Sequence, residues 1–436
     1  MQAIKAGLIG FGTVGSGVFR VLRRNLEEIS RRAGRPIEIS IVAVRRVDVA
    51  HRQIGTTCHI TDDAFEVVRH PEVEIVIELI GGHEQAYQLA LEAINNGKHL
   101  VTANKAMLAI YGDEIFRAAQ SQGVMVGFEA AVAGGIPIIK ALREGLSANH
   151  IEWVAGIING TTNFILSKMR DKGLPFAEVL KEAQRLGYAE TDPTFDVEGV
   201  DAAHKATLIA SIAFGIPINF AAAYVEGISS LDAIDINYAE QLGYRIKLLG
   251  IARKKKNGVE LRVHPTLIPE KRLLANVEGA MNAVLVKADA VGPTLYYGMG
   301  AGSEPTASAV IADMVDVTRM ATADPENRVP HLAFQPDQLH ELPILPIGEC
   351  ESAYYLRLCV ADQPGVLASI AQIFAAQYIS IGAVLQREPH SGENETDLVL
   401  LTHTCKEASV DSAIAEIGQL QSVRGKVVRL RMEDLS

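Results

Sequence analysis

A lysine ringed by carboxylates is the chemically loaded feature of this sequence. Between Gly156 and Lys205 the chain sets Glu190, Asp192, Asp196 and Asp201 ahead of Lys205, and Asp201 and Lys205 stand four positions apart. On a helix that spacing puts both side chains on one face. Beyond Lys205 the segment turns Ala- and Ile-rich, so the pair enters at the rim of a buried region. An ammonium held among carboxylates at the mouth of an apolar pocket can polarise a carbonyl and surrender a proton. Small and polar residues crowd Asn159-Gly160-Thr161-Thr162-Asn163, which are expected to line the same pocket. The alternative for Asp201 and Lys205 is a surface pair of small energetic consequence.

The elements that would bring a reactant to that lysine begin at the first residues. An apolar strand at 3–9 runs straight into Gly10-Phe11-Gly12-Thr13-Val14-Gly15, and apolar residues then recur at helical spacing from Val14 to Ile29. In strand-turn-helix context, this glycine spacing is a dinucleotide-binding fingerprint. The first glycine makes the tight turn, the second admits the pyrophosphate, and the third lets helix approach strand. The helix N-terminus then faces the phosphate charge. A second strand, Ile37–Val44, ends in Arg45-Arg46 where an NAD-preferring domain would usually present an acid, with Asp48 close by. Arginine there can pair with a ribose 2′-phosphate, so NADP is favoured over NAD.

Strands at 75–80 and 99–102 follow, with a helix from Glu84 to Asn95 between them. They deliver Gly81-Gly82 and Asn104-Lys105 to the carboxyl edge of the sheet, where ligands bind. Lys105 would sit at a helix start that disfavours a cation, so a ligand carboxylate or phosphate is expected to face it. A last strand, 124–128, leads into Glu129-Ala130-Ala131-Val132-Ala133-Gly134-Gly135-Ile136-Pro137, and a helix starts at 138. Further strands are expected at 262–268, 283–290 and 289–297, and a helix at 306–320.

The chain holds 436 residues, 48% hydrophobic, with a formal net charge of −11. At roughly 100–200 residues per domain, that length supplies two to four domains. The acidic balance argues against nucleic-acid binding. The one basic run, Arg253-Lys254-Lys255-Lys256 before Asn257-Gly258, is read as a solvated hairpin tip. Four scattered cysteines, without CxxC pairs, fit a reducing cytoplasmic setting, and no signal peptide is recognised. Residues 206–225 carry no charge, but Gly215, Pro217 and Asn219 interrupt them, so a buried helix and turn are expected rather than a membrane span.

Prolines 325, 330, 336, 343 and 346 mark an extended linker from about 321 to 350. The tail then shows strand, helix, two strands, helix and strand, a βαββαβ pattern. Its first turn, Asp362-Gln363-Pro364-Gly365-Val366-Leu367, resembles that of the ACT domain, whose turn amides and helix start commonly receive an amino-acid carboxylate.

With Asn159 to Asn163, Gly187-Tyr188-Ala189-Glu190, Asp201 and Lys205 in register, the chain resembles the homoserine dehydrogenases. The supporting stretches are GFGTVG at 10–15, TANKA at 102–106, EAAVAGGIPII at 129–139, NGTTNFILSKM at 159–169, AETDPTFDVEGVDAAHK at 189–205 and GAGSEPTASAV at 300–310. The resemblance implies an α/β fold in three parts. A Rossmann-type doubly wound parallel sheet spans 1–130, with 305–320 returning to it. A central α+β substrate and dimerisation domain spans 131–320, and after the linker a ferredoxin-like ACT domain spans 351–436.

The implied reaction is NAD(P)H-dependent reduction of L-aspartate 4-semialdehyde to L-homoserine, in threonine, methionine and isoleucine biosynthesis. The resemblance assigns Lys205 as acid–base residue and Glu190 and Asp201 to the substrate amino end, and it puts Lys105 between nicotinamide and substrate. Gly10 to Gly15, Arg45, Arg46, Lys105, Gly187, Glu190 and Gly302 would bind the cofactor. Glu129 and the main-chain carbonyls of Val132, Gly134 and Ile136 would hold a sodium ion. L-Threonine would act at Asp362, Pro364, Gly365 and Val366, and the assembly would be a homodimer or homotetramer. Two other readings are weaker. A thioester-forming semialdehyde dehydrogenase needs a nucleophilic cysteine, and Cys58 lacks evident activation; a dinucleotide-sensing regulator would not need the Glu190–Asp201–Lys205 group.

Overall fold

A computed structural model describes residues 2–387 and 394–436. Short β-branched runs bury both faces and form the first sheet, as parallel strands covered by helices require. Its strands are β1 (Ile4–Ile9), β2 (Ile37–Ala43), β3 (His59–Thr61), β4 (Ile75–Glu78), β5 (His99–Thr102) and β6 (Val126–Gly127), all parallel in the order β3-β2-β1-β4-β5-β6. The order reverses beside β1, the topological switch point at which such sheets bind ligands. The helix expected over Val14–Ile29 breaks at Asn25 into Thr13–Arg24 and Leu26–Ala33. The Ser303–Met320 helix returns to this sheet, where Ala307, Val310 and Met314 share a core with Ile4, Leu8 and Val18.

The central strands are β7 (Ile151–Ile157), β8 (Tyr224–Val225), β9 (Tyr244–Lys255), β10 (Gly258–Pro269), β11 (Met281–Ala288) and β12 (Gly292–Met299). The tail adds β13 (Glu351–Ala361), β14 (Ile381–Gln386), β15 (Glu395–Thr402), β16 (Cys405–Lys406) and β17 (Val423–Met432), with helices Val366–Ala376 and Glu407–Ile417. The tail therefore has the βαββαβ order read from its sequence. Its sheet is not separate, however: β17 pairs with β10 in parallel, making one 11-stranded sheet whose main path is β12-β11-β7-β9-β10-β17-β13-β15-β14, with β8 beside β10 and β16 beside β13.

Two expectations need correction. The basic run does lie at the β9–β10 turn, but Arg253 is drawn inward, 19% exposed, by Glu433 at 2.7 Å. The proline-rich segment is not a free tether. Buried His331 stacks on Phe116 and accepts from the Val126 amide, Phe334 lies on Gly215, and Ile344 bridges to Val259. The charge-free stretch is a buried helix, Val200–Phe214, and among the described residues no helix is long and apolar enough to cross a membrane.

Candidate active site

The glycine-rich turn has the three properties its spacing predicts. Gly10 has φ +98°, and a Cβ there would press on the Leu79 carbonyl at 2.7 Å. A Cβ on Gly15 would meet the Gly10 carbonyl at 2.1 Å, so helix and strand pack without a side chain between them. A Cβ on Gly12 would meet nothing within 4 Å. The space above Gly12 is thus open, and the Thr13–Arg24 helix begins there with no side-chain cap on its amides. Uncapped amides beside open space fit a dinucleotide phosphate. Ser303, next to Gly302, closes the far side of the turn by donating to the Thr13 carbonyl at 2.6 Å.

Across from this turn, a cleft of about 420 Å³ is lined by Val14, Gly81, His83, Asn104, Lys105 and Phe195. Asn104 caps the Lys105–Ser121 helix, so Lys105 sits at the unfavourable end for a cation. Where a ligand anion was expected, the protein itself supplies a carboxylate: Lys105 Nζ lies 3.4 Å from Asp201 Oδ1, while Lys205 Nζ lies 2.6 Å from Asp201 Oδ2. The buried carboxylate of Asp201, 5% exposed, is therefore shared by two ammoniums from different elements. Lys205 also donates to the Ile158 carbonyl at 2.8 Å, at the end of β7. Burial pushes the Asp201 carboxyl up, but the attraction of Lys205 and Lys105 and bonds from Lys205 and Asn159 outweigh it and hold it at about 2.

Asn159 caps the Gly160–Lys172 helix through Oδ1, and its Nδ2 bridges Asp196 at 2.7 Å and Asp201 at 2.8 Å. Asp196, from the opening sequence cluster, thus joins the site; burial, with Asp201 nearby, raises its carboxyl. Asn163, expected in the pocket, lies elsewhere: buried, it donates to the carbonyls of Val277, Gly279 and Met281 and accepts from Lys247. It staples a loop, and the shared run of polar residues gave no sign of which side each would face. Thr161 donates to the Tyr188 carbonyl, anchoring the loop that carries Glu190. Glu190 is exposed, and its side chain bonds none of the charged cluster; Gly187 has φ +78° in the same loop. His204, not singled out by sequence, is 4% exposed between the rings of Phe195 and Phe220, and burial drives it down to about 4, so it is neutral.

Arg45 and Arg46 follow β2, both exposed, at the edge that carries the glycine turn. Glu129 is buried; its two carboxylate oxygens accept from the Ile139 and Lys140 amides, and burial, then Asp313, raise it to about 7. Its carboxylate is thus committed to capping a helix. The carbonyls of buried Val132 and Gly134 accept no hydrogen bond from the described residues, whereas that of Ile136 accepts from the Ile138 amide. Oxygen donors left free in this way suit a hard monovalent cation. In the tail, Gly365 (φ +91°) starts the Val366–Ala376 helix without a side-chain cap, and Asp362 and Pro364 precede it. The thiol of Cys58 is raised by burial, the opposite of activation.

A dinucleotide-type glycine turn beside a cleft whose Lys105 is paired, through buried Asp201, with Lys205 fits an NAD(P)-dependent oxidoreductase acting on a CH–OH group. Family models agree along the chain: "Homoserine dehydrogenase, NAD binding domain" matches residues 10–129, "Homoserine dehydrogenase" matches 137–315, and "ACT domain" matches 354–421. The homoserine dehydrogenase of Pseudomonas aeruginosa is 60% identical over 436 residues, covering 100% of both chains. The crystal structure of a homoserine dehydrogenase from Thiobacillus denitrificans superposes with TM-score 0.96 at 65% identity, covering 100% of this chain and 99% of that one. A hyperthermophilic archaeal homoserine dehydrogenase in complex with NADPH aligns at 25% identity and TM-score 0.62, over 73% of this chain and 98% of that one. The chain belongs to the homoserine dehydrogenase family, whose reaction interconverts L-aspartate 4-semialdehyde and L-homoserine.

Proposed function

We propose that Lys205 is the acid–base residue of this reaction, and that the observation carrying the assignment is the Asp201 carboxylate shared by Lys105 and Lys205. The nicotinamide cofactor, when bound, supplies the hydride. Alkoxide charge then develops on the substrate oxygen, and a donor must be aimed at it. Lys205 supplies that donor, with its ammonium oriented by Asp201 and the Ile158 carbonyl. Lys105, at the cleft wall, shares the stabilising charge from the cofactor side. Asp201, and Glu190 once its loop closes over the pocket, bind the substrate ammonium. Lys205→Ala is expected to lower kcat by more than 100-fold while leaving NADPH affinity within about twofold. Turnover within about tenfold of the parent, about 1.4 kcal/mol of barrier, would overturn the assignment.

The finer assignments rest on local features. NADP preference over NAD is inferred from the exposed Arg45-Arg46 pair, with Gly10 to Gly15 and Gly302 around the phosphates, and the archaeal relative's NADPH complex supports it. Sodium would be held mainly by main-chain oxygens of the Glu129–Ile136 segment, with the Glu129 carboxylate as its outer support. The tail is read as the sensor of a small amino acid, L-threonine, at Asp362 to Val366. Domain limits of 1–130, 131–320 and 351–436 are proposed from the two sheets and the order of elements, with one core running through all three and the β10–β17 seam joining the last two. A homodimer or homotetramer is favoured by the sheet edge at β12, where Tyr297 and Met299 are 59% and 56% exposed. Four free cysteines suit a cytoplasmic setting.

A further inference from the structure

Glu78 is a buried ionisable side chain at the carboxyl edge of the first sheet that the mechanism leaves unused. It ends β4, between β1 and β5, and is completely buried. A carboxylate in that position is costly unless its lone pairs are engaged. Here they are. Thr102 Oγ1, at the end of β5, donates to Glu78 Oε2 at 2.6 Å, and the Ile80 amide donates to Oε1 at 2.8 Å. The Asn104 amide donates in turn to Thr102 Oγ1 at 3.0 Å. The Asn104 side chain then acts in both directions. Its Oδ1 accepts from the Met107 amide at 3.0 Å, capping the helix that starts at Lys105, and its Nδ2 donates to the Gly82 carbonyl at 2.7 Å.

The Thr102–Glu78 bond joins the two strand ends, and every other bond in this relay touches one of two loops, 79–82 after β4 and 103–104 after β5. Both loops line the cleft, and the second sets the backbone from which Lys105 reaches Asp201. A leucine at position 78 would fill the same space without the cost of burying charge, but it could not hold the two loops in register. We propose that Glu78 is a positioning residue for the reduction: through Thr102 and Asn104 it fixes the two loops of the cofactor side of the cleft and sets Lys105 against Asp201. The proposal rests on Lys105 and Lys205 forming the site, and its test is built to fail separately from that reading.

The relay has a polarity that can be reversed without changing volume. In Glu78→Gln, the amide carbonyl still accepts from Ile80, but the NH₂ now points at Thr102 Oγ1, which already accepts from Asn104 and loses its own acceptor. In Thr102→Val the same link is removed from the other end, and Thr102→Ser restores the hydroxyl. The full-length enzyme and variants are compared for kcat and KM toward aspartate semialdehyde and NADPH, with thermal unfolding to show each is folded at the assay temperature. Misplacement of about 1 Å can cost 10²-fold, so Glu78→Gln and Thr102→Val should each lower kcat/KM about 10- to 100-fold, with kcat carrying most of the loss.

The double variant should be no worse than either single one, because both break one relay, and Thr102→Ser should recover most of the loss. A purely structural Glu78 would lower thermal stability while the folded enzyme kept its kcat, and that result would overturn the proposal. Additive losses in the double variant would overturn it equally. Lys205→Ala, run in parallel, reads the underlying assignment: activity there sinks the catalytic lysine, whereas a silent Glu78→Gln beside an inactive Lys205→Ala sinks only the relay.

Discussion

Asp201→Asn tests the charged cluster at its centre, because one substitution unpairs two lysines while keeping the side chain's shape. The lost partners lie at 2.6 Å and 3.4 Å, with side-chain exposures of 12% for Lys205 and 35% for Lys105. Solvent screens Lys105, so the larger share of the loss falls on Lys205. The carboxyl is held at about 2 against an ordinary 3.8, which corresponds to about 2 kcal/mol at 1.36 kcal/mol per tenfold change in proton affinity. Breaking a buried pair from one side typically costs ~3–5 kcal/mol, so a value of about 3 kcal/mol lies between the two figures.

A loss of about 3 kcal/mol, at about 2–4 °C per kcal/mol for domains of this size, lowers Tm by about 6–12 °C. The sign with pH follows from a folded value below the unfolded one. The contribution is present above about pH 3.8 and is lost as pH falls through about 2, so the Tm gap between parent and variant should hold near neutrality and close in acid. In the assay, loss of reduced-nicotinamide absorbance on adding aspartate semialdehyde should slow more than 100-fold at saturating NADPH. A variant of unchanged Tm with activity within about tenfold would show that the pair is an ordinary ion pair, and the electrostatic reasoning would fall with it.

Other substitutions probe the rest of the chain. Arg45→Ala should raise the KM for NADPH about tenfold, the loss of one charge-assisted contact of about 1.5 kcal/mol, and leave that for NADH nearly constant; equal effects on both cofactors would remove Arg45 from 2′-phosphate recognition. Asp235→Ala leaves Arg357 without the carboxylate oxygens now at 2.5 and 2.9 Å and Tyr355 without its acceptor at 2.8 Å, so calorimetry should show a Tm several degrees lower although the cleft is untouched. Gly365→Val forces a β-branched residue into φ +91° at the proposed effector turn. The threonine concentration for half-inhibition should rise at least about tenfold, a coupling loss of ~1.4 kcal/mol, and unchanged inhibition would move the sensing site elsewhere.

The parts of this molecule legible from sequence are those in which local pattern and tertiary role coincide. Glycine spacing announced the turn at Gly10–Gly15 because each glycine answers a steric demand within a few residues of itself. The 84–95 helix and the β5 strand were expected within the bounds the structure gives them, since their apolar periods are unbroken. β7 and β9 went unread. β9 carries Arg245, Lys247 and Arg253, yet seven consecutive residues, 246–252, are buried, and Lys247 is 1% exposed because Asn163 and the Val277 carbonyl receive its ammonium. No sequence window shows that partner. Glu78 was hidden for the same reason: in IVIELI it reads as one polar letter in a strand, and its role lies in Thr102, a strand away. Lys105 and Asp201 could each be singled out, but only folding brings residues so distant in the chain to one contact.

The tail's place in the sheet determines how regulation has to be sought. β17 is hydrogen-bonded to β10, and behind that seam Arg262, wholly buried, bonds Glu433 at 2.6 Å and Glu260 at 3.1 Å. Removing residues 351–436 would expose the β10 edge, strip Arg262 of its closest carboxylate and leave Asp235 without its guanidinium, so a truncated chain would lose stability before it lost sensing. The same seam approaches the active site in short steps. Arg431 donates to Glu226 at 2.8 Å, and the Glu226 amide donates to the Val263 carbonyl on β10 at 2.8 Å. Two residues on, the Ile228 amide donates to the carbonyl of Val197, the neighbour of Asp196, which holds Asn159 against Asp201. A displacement of β17 on effector binding would therefore be passed through Glu226 and Ile228 to the short helix that carries Asp196. The proposed sensing is therefore tested by point substitutions in the full-length chain, because excision of the tail would confound it with lost stability.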